Sequence, residues 1–205
     1  MRGYGIFVCN ILFYVVKTFL KYNQKNMNIN QPLLEKALLA LLREFEKTDT
    51  YDPETSTPNG VLQILPKCGD PQTIHIGEKT SPMIPKNTFD LRRTHSLLLG
   101  SSKKYISSLV SPAFTNDISG GSIMIPTGKL PGIHDEVLAS FTGFDRPFWN
   151  EIACIIFTEL LSEDPGSIVG YYSLKTGYNE SNDNRCPELA LSVAVKIVRE
   201  VRNGS

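Results

Sequence analysis

The chain has 205 residues, 41% hydrophobic and 20% charged, with 13 prolines and 15 glycines. That composition fits one globular domain, with or without a tail, that needs neither metal nor disulfide to stay folded. Lysine plus arginine and aspartate plus glutamate both total 21, a net charge of zero, and the basic clusters are only Arg92-Arg93 and Lys103-Lys104. This argues against a nucleic-acid binder, which needs Lys and Arg gathered on one surface.

Cys9, Cys68, Cys154 and Cys186 lie far apart, with no C-x-x-C or Cys/His ligand spacing. A zinc site is not expected, and free thiols in a reducing, cytoplasmic compartment are the simplest reading. The first 26 residues stand apart. Ile6 to Leu20 is apolar but broken by Asn10 and Lys17, and its 15 residues fall short of a span, which needs about 20. Residues 1–26 read as a disposable leader or an upstream extension. A signal or membrane anchor is the alternative, which would make the protein secreted or membrane-anchored. Met27 opens the residues expected to fold.

From Pro32 to Lys47, Leu33, Leu34, Leu38, Leu41, Leu42 and Phe45 repeat at helical spacing. Asn30 or Gln31 can cap this helix, and Pro32 suits its first turn. Thr48 to Asn59 is a polar loop. Gly60–Leu65 and Gln72–Gly77 read as two strands of a hairpin, turned at Pro66 to Pro71. A Pro-rich loop over Thr80 to Asn87 follows. Helices are predicted at Thr88–Leu99 and from Ser101 or Ser102 to Val110. Strands follow at Ser122–Pro126 and Glu136–Thr142, then a helix from Arg146 and Pro147 to Leu161. Ile168–Leu174 reads as a strand. Pro187–Val201 reads as a helix whose apolar stripe, Leu189 to Val201, must cover the sheet or another subunit.

The order α-β-β-α-β-β-α predicts an α+β fold, an antiparallel sheet with helices packed on it. The division expected is a domain over residues 27–165 and a C-terminal extension over 166–205.

Three ordered landmarks carry a family resemblance. Leu91-Arg92-Arg93-Thr94-His95 opens a segment that runs to Gly100-Ser101-Ser102. Gly120-Gly121-Ser122-Ile123 opens a strand. Ala139-Ser140-Phe141-Thr142-Gly143 ends one, just before Asn150-Glu151-Ile152-Ala153. Together, across roughly residues 31–161, they resemble the GlcG/HbpS-like family, which is also labelled haem-degrading. Ser122 stands where that family has Pro, Trp149 where it has an acidic residue, and His95 where it has Thr.

The resemblance implies a profilin-like sheet flanked by helices, assembly as a homo-oligomer, and haem or a related tetrapyrrole as ligand. The iron ligand the residues themselves offer is His95, at a position where the family has Thr. Arg92 and Arg93, Gly120 and Gly121, and Thr142 and Gly143 are the implied cofactor contacts. The residues themselves agree in one respect. Arg92 and His95, three apart on a helix, share a face, and a guanidinium beside the ligand can pair with a propionate. A solvated helix face accounts for the same spacing.

The remaining candidates read as structural. His75 lies on the strand face opposite Ile74 and Ile76, which makes it exposed or part of an interface. His134 sits in a loop, Cys154 reads as a buried thiol, and Phe148 and Trp149 as core or interface. No nucleophile elbow, Walker loop, zinc-protease or dinucleotide fingerprint is present. His134-Asp135-Glu136 is the one trio with acid/base capacity. Two readings follow, a non-catalytic tetrapyrrole-binding module and an assembly subunit that keeps the fold without a ligand.

Overall fold

Helix α1 (Gln31–Phe45) starts where Asn30 stops being helical, and its Oδ1 accepts from the Leu33 N–H at 3.3 Å. That side chain takes one of the amide donors a helix start leaves orphaned. Pro32 sits in the first turn, where no N–H is needed. Leu34, Ala37, Leu38, Leu41 and Phe45 form the buried stripe. The computed structural model describes residues 27, 29–49, 51, 59–67, 70–77, 121–144, 146–176 and 187–204. The helices predicted at 88–99 and 101–110 lie outside the described residues.

Strands β1 (Gly60–Pro66), β2 (Gln72–Ile76), β3 (Gly121–Ile125) and β4 (Val137–Thr142) make one antiparallel sheet in the order β2-β1-β4-β3. The chain is therefore mixed α+β, with a four-stranded antiparallel sheet flanked by helices. Leu62 pairs with Ile74 and with Phe141, and Gly121 also pairs with Phe141. That register puts Ile74, Leu62, Phe141 and Gly121 on one face, which faces the helices. His75, Gln63, Ser140 and Ser122 lie on the other. On β2 the alternation is plain, with Ile74 and Ile76 buried and Thr73 and His75 exposed. The residues of β1, β3 and β4 are buried on both faces almost throughout.

Helix α2 (Pro147–Leu161) packs directly on β3 and β4. Every residue from Trp149 to Glu159 is buried. A helix with no wet face belongs in the middle of a protein, and α2 is the middle layer. Helix α4 (Pro187–Asn203) covers its outer side, α1 packs beside it, and α3 (Ser167–Thr176) closes against both α2 and α4. Phe45 of α1 meets Trp149 of α2 with ring centroids 5.0 Å apart, and Phe141 meets Phe157 at 5.1 Å. These aromatic pairs link α1, α2 and the sheet into one core.

Two expectations need correction. The strand expected at Ile168–Leu174 is helix α3. Its first turn is held by a side chain from α2, and Ile168 and Tyr172, four residues apart, point into the core. The stripe on α4 packs on α2 and α1 of its own chain rather than on the sheet. Ala190, Ala194, Ile197 and Val201 are fully buried within the chain, where α4 packs on α2 and α1. Ile168, Tyr172, Ala190, Ala194, Ile197 and Val201 thus belong to the same core as the residues before them.

Candidate functional site

Arg92, Arg93, His95 and Gly120 lie outside the described residues. The other three implied contacts, Gly121, Thr142 and Gly143, gather at one corner of the sheet. Gly121 opens β3 opposite Phe141, and Thr142 and Gly143 end β4.

The two glycines there have packing reasons. A Cβ on Gly121 would stand 1.9 Å from the backbone nitrogen of Glu151, so α2 approaches β3 this closely only because position 121 has no side chain. A Cβ on Gly143 would meet the Asn59 carbonyl oxygen at 2.6 Å. The turn between β4 and α2 is held by Asn150, 1% exposed, whose Oδ1 accepts from Gly143 N at 3.1 Å and Phe144 N at 2.9 Å. Its Nδ2 donates to the Phe144 carbonyl oxygen at 2.8 Å. One amide thereby fixes where β4 stops and α2 starts. Thr142, half-buried, lies across from Val61 on the face away from the helices.

That far face carries a row of polar residues. Thr73, Gln63, Ser140 and Ser122 sit opposite one another on β2, β1, β4 and β3. Ser122 Oγ donates to Ser140 Oγ at 3.0 Å, and Ser140 Oγ donates to the Gly121 carbonyl oxygen at 3.3 Å. Val61, Leu65, Leu138 and Met124 make the apolar part of the same face, and all four are buried.

Beneath the corner, Cys154 lies fully buried with Sγ 3.1 Å from the Gly121 carbonyl oxygen. Burial pushes its thiol well above the ordinary value, and the neighbouring Glu151 carboxylate adds to that rise. The thiol is therefore neutral and unreactive. Glu151 is also fully buried, and Tyr172 donates to its Oε1 at 2.7 Å.

His75 and His134 are exposed. Neither lies in an apolar slot, and Cys154 is sealed, so the described histidines and cysteine give haem no enclosed axial ligand. Among the described residues no group of three His, Cys, Asp or Glu side chains is placed to hold a metal ion. Nor is any described helix long and apolar enough to cross a membrane. A groove of about 560 Å³ runs between α1 and α4, lined by Arg43, Lys47 and Lys196 and by Glu44, Glu46 and Glu200. Its charges balance, and Ala40 is the one apolar residue in its lining, too little to seat a macrocycle.

Sequence reasoning missed Asn150, Glu151 and Glu159 as buried, structurally committed polar groups. Nothing in local spacing announces them, because each is completed by residues from another element. No family model matches the chain, and no curated protein and no solved structure matches it.

Proposed function

We propose that this chain is a non-catalytic, ligand-binding domain of the GlcG/HbpS-like kind, with a profilin-like arrangement, and that it takes haem or a related tetrapyrrole. The observation that supports the reading most is the sidedness of the sheet. The helix before β1 and the helix after β4 lie on the same face, and the landmark residue Gly121 falls where the second of these helices comes closest to the sheet. The helix face is filled by a continuous core. Val61, Leu65, Met124 and Leu138 on the far face are buried as well, which leaves the partly exposed corner at Thr142 for a ligand.

In this reading His95 would hold the iron, and Arg92 and Arg93 would neutralise the propionates. Haem, when bound, supplies an iron centre and a planar apolar surface. The chain holds it, shields it from water and fixes its carboxylates. A homo-oligomer in a reducing, cytoplasmic setting goes with the same reading, and Cys154 is a free thiol in keeping with it.

The test is an absorbance titration of the purified full chain with haemin, beside His95→Ala. A saturable Soret shift near one equivalent, lost in the variant, supports the proposal. A shift no larger than that of a control protein overturns it and leaves the assembly reading, in which the fold is kept without a ligand.

A further inference from the structure

We draw no further inference here: the strongest candidate, the unpartnered Oδ1 of Asn59 beside Gly143 at the corner of the sheet, is buried by the chain itself, and nothing among the described residues shows an opening through which a ligand would reach it.

Discussion

Arg202 holds Glu159 twice. Its Nη2 donates to the Glu159 carbonyl oxygen at 2.8 Å and lies 3.4 Å from the carboxylate Oε1. That carboxylate is nearly sealed from water and accepts the N–H groups of Gly166, Ile168 and Val169. A side chain from α2 therefore caps α3, and the last turn of α4 clasps the cap. Removing the carboxylate leaves those donors and the guanidinium without it. Glu159→Ala is expected to cost about 3 kcal/mol, a drop in melting temperature of about 10 °C. Amide exchange at Ile168 and Val169 should quicken more than exchange in the sheet. Equal quickening everywhere would show that α3 is not specifically capped by Glu159.

Cys154 makes a prediction about chemistry and another about pH. Because burial, and then Glu151, raise its thiol pKa, the thiol is neutral and hidden in the native chain. Mass spectrometry of the peptide carrying Cys154 should show no alkylation by iodoacetamide under native conditions and full alkylation in denaturant. The pH dependence runs toward the alkaline side. The folded thiol holds its proton above the pH at which the unfolded thiol, with an ordinary value of about 8.5, gives its own up. This contribution is present below that pH and is lost as pH rises above it. Cys154→Ala should show less stability loss between about pH 8 and 10 than the unmodified chain.

Glu44 titrates in the opposite direction. The hydrogen bond from Lys196, and then that from Lys47, hold its carboxyl below the ordinary value. The contacts are 2.8 Å and 2.7 Å long and largely open to solvent. The stabilisation is present above the ordinary glutamate pKa and is lost as pH falls through the lowered one. It is small, because exposed ion pairs are screened. Melts of Glu44→Gln and of the unmodified chain should converge in acid and in high salt. A difference that persists in molar salt would mean that Glu44 acts through packing.

Glycine substitutions separate close approach from conformation. Gly121→Ala puts a methyl group onto the backbone of α2 at Glu151, where nothing flexible can yield. A loss of about 3 kcal/mol or failure to fold is expected. Gly170→Ala in α3 has open space at the Cβ and an ordinary helical setting. It should stabilise the protein by about 0.5–1 kcal/mol. Chemical denaturation of both variants checks the pair, and similar effects in both would argue against the tight β3–α2 contact.

The sequence made most elements legible because their signals are local. The stripe Leu34-Leu38-Leu41-Phe45 with Asn30 and Pro32 ahead of it needs no tertiary information, and α1 follows to within two residues. The alternation around His75 predicts an outward side chain, and His75 is exposed. What escaped reading depends on distant partners. Ile168, Val169, Tyr171 and Tyr172 are residues that favour strands, but the Glu159 cap and the bond from Tyr172 to Glu151 make a helix of them. The α4 stripe announces a buried face without saying what it faces. At the candidate site, Gly121 and Gly143 stood out as glycines, while the burial of Gln63 in the middle of the sheet depends on the strands on either side of it.

Helix α2 has consequences for how the chain acquires its structure. From Trp149 to Glu159 it has no side that tolerates water, and α4 supplies its outer cover. One flank of α2 stays bare until α4 packs on it, so cooperative folding requires α4. An interruption of synthesis between residues 161 and 187 would leave a chain that aggregates rather than a smaller working domain.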